Sequence, residues 1–136
     1  MRFMILVKAS KESESGVLPT EGELDEMGKF NEAMVKAGVL LAADGLHASS
    51  KGVRVLYAGS KRTVVDGPFA EAKELVAGYW VIQVKSKEEA LEWAKRVPFR
   101  EGEVEVRQVF ELSDFPDSEA KNRANALRAE VEGSRN

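Results

Sequence analysis

The stretch that decides the fold is Val64-Val65-Asp66-Gly67-Pro68-Phe69-Ala70-Glu71-Ala72-Lys73-Glu74-Leu75, a polar turn between two strand-like runs. Aspartate, glycine and proline favour turns, because proline fixes φ and an aspartate side chain hydrogen-bonds the backbone of its own turn. Proline also biases the preceding residue, Gly67, toward extended geometry. Taken alone, these residues indicate a loop that joins two strands, and a functional role requires a second feature.

Upstream of this turn, the pattern predicts a strand, a loop, a helix and a second strand. Residues 3–7 are apolar at successive positions, as in a central strand covered on both faces, and residues 9–19 are polar. Thr20 and Glu23 form a capping-box pattern, and Gly38 is placed to end the helix. Residues 39–43 indicate the second strand. The apolar stripe of the helix is Leu24, Met27, Phe30, Met34 and Ala37.

The hairpin and the elements after the turn complete the pattern. Residues 53–57 and 62–65 are predicted to pair as a hairpin around residues 58–61. A long strand at 75–85 places Val76, Gly78, Trp80, Ile82 and Val84 on one face. Ser86 and Glu89 repeat the capping-box pattern, Ala90, Leu91, Ala94 and Val97 form the apolar face, and Pro98 stops the helix. The last strand, 103–110, places Val104, Val106, Gln108 and Phe110 on its half-buried face.

This order predicts an α+β fold: a ferredoxin-like βαββαβ unit with an inserted β-hairpin. Two helices would cover one face of an antiparallel sheet, and we expect a second copy of the chain to cover the other, giving a homodimer. The predicted domain spans residues 1–112. Residues 113–136 form a C-terminal helical tail whose helix should begin near Asp117 or Ser118 and end at Gly133. Its narrow apolar stripe, Ala120, Ala124, Leu127 and Val131, makes that helix marginal unless it docks.

Composition excludes several classes of function. A chain of 136 residues fits one domain, and a formal net charge of -3 argues against binding to a nucleic-acid backbone. The absence of cysteine excludes disulfides, thiolate catalysis and cysteine-ligated metal sites. The N-terminal apolar run is too short for a signal peptide or a membrane span, so we expect a cytoplasmic protein.

The chemically informative pair is His47, the only histidine, and Asp66. The predicted topology places His47 at a strand end and Asp66 at the end of the following hairpin, where the two can converge. An imidazole held by a carboxylate has its tautomer fixed and its charged form stabilised, so it can act as a general base. The alternatives are a surface histidine and a purely structural turn aspartate.

Charged side chains near the turn are candidates for substrate binding. They are Arg54, Glu71, Lys73 and Glu74, with Arg107 as a second arginine that can bind a carboxylate. The alternative for the acids and the lysine is a solvated charge cluster, and Arg107 can instead pair with Glu105 across the sheet. We expect no cofactor and no metal, since one histidine cannot form a multi-histidine site and no glycine-rich phosphate loop occurs.

Three motifs together resemble the DGPF branch of the YCII-related proteins. They are residues 66–74, Gly78-Tyr79-Trp80 and Ala90-Leu91-Glu92-Trp93-Ala94. Residues 1–6, Leu46-His47-Ala48-Ser49 before Val53-Arg54, and Glu105-Val106-Arg107 are similar to the same branch, so the resemblance spans about residues 1–110. Ala48 and Gln108 stand where the branch would have proline, and Ala48 is expected to loosen the loop that carries His47.

The resemblance implies a dimeric α+β barrel, related in fold to muconolactone isomerases, with His47 and Asp66 as the catalytic pair. It also implies an association with sigma-factor regulation as a rival role. The resulting hypothesis is a small homodimer with a cleft in each subunit, where His47, oriented by Asp66, transfers a proton on a small polar molecule without a cofactor. The first alternative is a non-catalytic module that binds a ligand or a protein and is linked to transcription control. The second is a scaffold with an inert cleft, whose charged tail would be its interaction element.

Overall fold

The computed structural model describes residues 1–134 and contains six strands and four α-helices in that range. The strands are β1 Arg2–Lys8, β2 Leu40–Gly45, β3 Val53–Ala58, β4 Lys61–Asp66, β5 Val76–Gln83 and β6 Val104–Gln108. The helices are α1 Lys11–Glu14, α2 Glu21–Lys36, α3 Lys87–Lys95 and α4 Glu119–Ser134. Three short 3-10 turns, Ser49–Lys51, Ala72–Glu74 and Leu112–Asp114, join them.

The main sheet has the strand order β2-β5-β1-β6, and every neighbouring pair is antiparallel. Without the hairpin, this is the ferredoxin-like βαββαβ arrangement, so the predicted fold class is confirmed. The hairpin of β3 and β4 forms a separate two-stranded sheet. β1 lies between β5 and β6, which agrees with its prediction as a central strand.

The core lies between the main sheet and α2 and α3. Phe3 and Ile5 of β1 and Trp80 and Ile82 of β5 alternate along their strands and are buried on the helix side. Phe30 of α2 contacts Trp80 edge to face, with ring centroids 5.5 Å apart. The Trp80 indole N–H donates to Asn31 Oδ1 at 2.8 Å, so this buried ring has its polar atom satisfied.

The start of α2 follows the predicted capping box. The Thr20 hydroxyl accepts from the Glu23 N–H, and the Glu23 carboxylate accepts from the Thr20 N–H, which lowers the pKa of Glu23. Leu24 was wrongly placed in the apolar stripe, because its side chain is 58% exposed. It lies in the first turn, before α2 reaches the sheet, so spacing alone extended the stripe too far.

Three further sequence predictions are corrected by the structure. On α3, Trp93 is buried, whereas Leu91 is 45% exposed, because the helix is rotated to pack its indole against Phe30. Phe110 lies beyond the end of β6 and is 70% exposed, although its ring stacks near that of Phe115. The polar stretch at 9–19, predicted as loop, contains α1, which Ser10 and Ser13 cap reciprocally.

The second face of the main sheet is less well covered than the first. Met4, Leu6, Tyr79 and Val81 alternate with the core residues and are only half-buried. Such an apolar strip on one chain is an expected contact surface. Within the described part of the chain, no helix is long and apolar enough to cross a membrane.

Ion pairs link the C-terminal helix α4 to the rest of the domain. The Arg2 guanidinium donates to Glu111 at 2.7 Å and 3.2 Å, and Arg128 of α4 lies 3.8 Å from the same carboxylate. Arg2 lowers the pKa of Glu111 through this hydrogen bond. α4 begins at Glu119, with the Ser118 hydroxyl accepting from the Lys121 N–H at 3.0 Å. No side chain of α4 is buried, so packing contributes little to its docking.

Candidate functional site

His47 is the second residue after β2. The Leu46 N–H still donates to the carbonyl of Ala77 in β5 at 2.8 Å, so the chain is tied to the sheet up to Leu46. His47 follows immediately and its side chain is exposed. The pairing of Leu46 with β5 therefore fixes the backbone position of His47, while its imidazole is accessible to solvent.

Asp66 is the last residue of β4, paired with Val53 of β3. Its side chain is exposed, as is the whole hairpin. The Gly67 N–H donates to the Gly52 carbonyl at 2.9 Å, and the Gly67-Pro68 peptide bond is cis. Asp66 therefore lies at the base of the hairpin, where β4 ends beside the segment that follows His47.

The two segments touch at Gly67. A Cβ atom added to Gly67 would lie 1.7 Å from the Ser49 carbonyl oxygen, a distance that no side chain tolerates. The φ of Gly67 is not in the left-handed region, so glycine is required here by space. His47 precedes Ser49 by two residues and Asp66 precedes Gly67 by one, so this contact places the segments that carry the two candidates next to each other.

Ser49 joins three segments of the chain by hydrogen bonds. Its hydroxyl and its N–H both donate to the carboxylate of Glu14 in α1, the N–H at 2.8 Å. The same hydroxyl oxygen accepts from the Phe69 N–H at 3.0 Å. These hydrogen bonds lower the pKa of Glu14, because they stabilise its ionised form. We call Glu14, Ser49 and the Phe69 N–H the Ser49 cluster.

A family model of the YCII-related domain matches residues 1–113. This chain belongs to the YCII-related family. The family prediction from sequence is therefore confirmed, while the finer assignment to the DGPF branch stays a prediction.

Two individual proteins are similar to this YCII-related chain. The uncharacterised protein R00369 of Rhizobium meliloti (strain 1021) is 29% identical over 75 residues, which covers 55% of this chain and 60% of that protein. The alignment thus spans less than two thirds of that relative. Among solved structures, 5-chloro-2-hydroxyhydroquinone dehydrochlorinase (TftG) from Burkholderia phenoliruptrix AC1100, in complex with 2,5-dihydroxybenzoquinone, has a TM-score of 0.43 and 13% identity over 82% of this chain and 95% of that chain. The family assignment rests on the domain match.

In this YCII-related chain, His47 and Asp66 lie on neighbouring segments. Across residues 1–134, no hydrogen bond or ion pair joins their side chains, and neither side chain has another such partner. Because both are exposed, each can change rotamer at little cost. The backbone therefore places the two segments side by side, and whether the two side chains meet in an imidazole-carboxylate hydrogen bond stays a prediction.

Arg54 is placed beside the turn by an aromatic contact. Its guanidinium carbon lies 3.8 Å from the centroid of the Phe69 ring, a cation-π geometry. No carboxylate among the described residues pairs with it. Arg107 instead contacts Glu105 at 3.1 Å, which is the structural alternative considered from sequence. Of the two arginines, Arg54 is the one whose charge remains available at the turn.

Glu71, Lys73 and Glu74 are exposed around the 3-10 turn that leads into β5. Glu71 has φ +63, a left-handed conformation that costs a non-glycine residue roughly 1–2 kcal/mol. The Glu74 N–H donates to the Glu71 carbonyl at 2.8 Å and so supports this turn. No ion pair involves the three side chains within residues 1–134, so they form a solvated charged rim.

Sequence reasoning missed Glu14 and Ser49. Glu14 lay in a stretch predicted as polar loop, and Ser49 appeared only as part of a motif. No periodicity links positions that are 35 residues apart, so the serine before the hairpin was the only available signal. Sequence reasoning also missed the pair of Tyr79 and Asp44 on the half-covered face of the sheet. The Tyr79 hydroxyl donates to the Asp44 carboxylate at 3.0 Å, and this hydrogen bond raises the pKa of Tyr79.

Two shallow depressions of the surface lie elsewhere. One is at the first turn of α2 and the other lies between the end of α3 and the start of β6. Neither is lined by His47 or Asp66. Within the described residues, no group of three histidine or carboxylate side chains is arranged to hold a metal ion.

Proposed function

We propose that this YCII-related protein is a small homodimeric enzyme in which His47, oriented by Asp66, transfers a proton on a small polar substrate without a cofactor. The observation that carries the proposal is the contact of Gly67 with the Ser49 carbonyl, which holds the segments of the two side chains together. An exposed imidazole just beyond the end of an edge strand, with a carboxylate on the neighbouring segment, suits a general base. The proton it accepts is returned to the product, so no oxidant is required.

Arg54 supplies the positive charge in this proposal. Phe69 holds its guanidinium close to the turn, where it can bind a carboxylate with two parallel hydrogen bonds. Glu71, Lys73 and Glu74 form the polar rim of the site. A carboxylate-bearing substrate would thus be oriented by Arg54 while His47 reaches the carbon or oxygen that loses its proton.

The second copy of the chain is part of the proposal. The half-buried strip of Met4, Leu6, Tyr79 and Val81 is apolar apart from the Tyr79 hydroxyl, and a copy packed sheet to sheet would cover it. Closing that face would shelter the neighbouring sheet edge from water. Electrostatic interactions at His47 would then be stronger than in the exposed single chain.

The experiment measures deuterium incorporation in D2O into small 2-oxo acids, with pyruvate and 2-oxobutyrate as probes. We expect the wild-type protein to accelerate exchange at the carbon next to the carbonyl. His47→Ala should lower that acceleration by roughly 100-fold or more, since general-base catalysis contributes about that much. Its melting temperature should stay nearly unchanged, because the side chain is exposed.

The matched control is Lys51→Ala, an exposed residue of the same segment. It should retain both exchange activity and melting temperature. Loss of folding in His47→Ala would assign His47 a structural role, and equal activity in the two variants would contradict its role as the general base. Absence of exchange in the wild-type protein with both probes would contradict this substrate class.

The alternative is a non-catalytic module that binds a ligand or a protein, linked to sigma-factor regulation. The observation in its favour is the hairpin of β3 and β4, which exposes Val53, Leu56, Tyr57 and Val64 to solvent. Exposed apolar side chains on a protruding hairpin suit a protein partner. Capture of a transcription component that survives His47→Ala would support this alternative over catalysis.

A further inference from the structure

The Ser49 cluster has no role in the chemistry proposed above, yet it is the most densely bonded polar group near His47. Both oxygens of Glu14 accept hydrogen bonds from Ser49, one from the N–H and one from the hydroxyl. Glu14 and Ser49 are half-buried, whereas His47 and Asp66 are exposed. A charged carboxylate that accepts two hydrogen bonds from one residue restrains that residue strongly.

The position of Ser49 in the chain determines what this restraint does. Ser49 begins the 3-10 turn after the His47 loop, and its hydroxyl also accepts from the Phe69 N–H in the turn that follows Asp66. Its carbonyl packs on Gly67. One side chain thus ties the His47 loop to the Asp66 turn, and Glu14 orients that side chain.

The hydrogen bonds of Ser49 also restrain a loop whose backbone is not fixed by proline. Ala48 is expected to leave this loop more mobile than a proline would, because proline fixes φ. Glu14 is the last residue of α1, whose N-terminus is capped by the Ser10 and Ser13 hydroxyls. The hydrogen bonds of Ser49 with Glu14 and with the Phe69 N–H therefore constrain this loop through side chains.

We propose that Glu14 is a positioning residue: through Ser49 it holds the loop of His47 against the turn of Asp66, so that the imidazole can be oriented by the Asp66 carboxylate. This inference rests on the proposed function, since it assigns Glu14 a role only if His47 and Asp66 act together. Glu14 itself touches neither a substrate nor the reacting atoms.

The test uses the fact that His47 is the only histidine, so its imidazole gives one set of resonances in the full-length protein. Long-range 1H-15N NMR at a pH where the ring is neutral reports which nitrogen carries the proton. A carboxylate partner selects one tautomer, whereas a free imidazole exchanges between two. We expect one tautomer to dominate in the wild-type protein and a mixture in Asp66→Ala.

For the positioning residue, Glu14→Ala and Ser49→Ala should each show the tautomer mixture of Asp66→Ala. Ser49→Thr keeps the hydroxyl and should restore the single tautomer. The matched control is Glu12→Ala, which removes a carboxylate from the same helix. Within residues 1–134, the Glu12 carboxylate accepts no hydrogen bond. It should leave the wild-type spectrum unchanged.

The outcomes separate this inference from the proposed function. A single tautomer in Glu14→Ala, together with a mixture in Asp66→Ala, would overturn the positioning role and leave the pair of His47 and Asp66 intact. A lower melting temperature in Glu14→Ala without a change of tautomer would also overturn it, because the role would then be structural. An unchanged spectrum in Asp66→Ala would overturn the catalytic pair and, with it, the role of Glu14. If Glu14→Ala does not fold, Ser49→Ala decides by the same criterion.

Discussion

Single residues at this site are constrained by space as well as by chemistry. Gly67 of the turn is required because its α-carbon packs on the Ser49 carbonyl, and no φ preference of glycine is involved. Glu71, in contrast, adopts a left-handed backbone that glycine would adopt more readily. The first constraint brings the His47 and Asp66 segments together, and the second shapes the charged rim beside them.

Gly67→Ala should therefore destabilise the protein by about 1–3 kcal/mol, because the hairpin return must shift to relieve the overlap. Urea unfolding followed by circular dichroism measures the change in free energy. Gly52→Ala is the matched control, since its added Cβ would lie 3.4 Å from the same Ser49 oxygen, at ordinary contact distance. We expect that variant to change stability by less than about 1 kcal/mol. Equal destabilisation of the two variants would contradict the packing argument.

Individual elements differ in what holds them. α2 and α3 are fixed by buried aromatic residues, whereas the hairpin of β3 and β4 has every residue exposed. An isolated two-stranded hairpin is marginal in water, so its anchors at the base matter most. These are the Gly67 to Gly52 hydrogen bond and the stacking of Arg54 on Phe69. The hairpin is therefore anchored mainly at its base, beside the site.

The docking of α4 depends on Glu111, whose pKa is lowered mainly by the hydrogen bond from Arg2. A carboxyl group with a lowered pKa stabilises the folded state above its unfolded value, and the contribution is lost as the pH falls through the folded value. Glu111→Gln should therefore lower the melting temperature at neutral pH, for a loss of under about 1 kcal/mol in this surface network. The difference from wild type should vanish in acid below the folded pKa.

Melting curves recorded across that pH range measure this effect. Glu130→Gln, an exposed substitution on α4 with no described ion pair in residues 1–134, serves as the control and should match wild type throughout. A difference between Glu111→Gln and wild type that persists in acid would show that the ion pairs do not hold the helix.

In the molecule as a whole, the helices cover one face of the main sheet, and the other face is only half-covered. The helices bury Phe3, Ile5, Trp80 and Ile82, while Met4, Leu6, Tyr79 and Val81 on the other side keep partial exposure. Association of two copies through the second face would complete a sheet-to-sheet layer, as the sequence pattern led us to propose.

Val81→Lys should convert the protein to a monomer of 15.0 kDa, because a charge buried in that contact has no partner. Size-exclusion chromatography with light scattering measures the mass, and circular dichroism verifies that the chain remains folded. The matched control is Leu91→Lys on α3, which is also a partly exposed apolar residue but lies on the helical side. A monomeric wild-type protein, or an unchanged mass in Val81→Lys, would contradict this interface.

The amino-acid sequence by itself determined the order of the six strands and of α2, α3 and α4, the Thr20 capping box, most of the core and the family, but it missed α1. These features depend on neighbours within a few residues, where hydrogen-bonding groups and apolar spacing are visible directly. The sequence also pointed to His47 and Asp66, although whether they act together stays a prediction.

The three-dimensional arrangement decided which parts of each pattern reach the core and which distant residues meet. Leu24, Leu91 and Phe110 fit apolar patterns yet are exposed, because helix rotation and strand length are set by packing against other elements. The hydrogen bonds from Ser49 to Glu14 and the contact of Ser49 with Gly67 join residues far apart in sequence. Such contacts form only when the chain folds and brings distant segments together, so the local spacing of residues does not predict them.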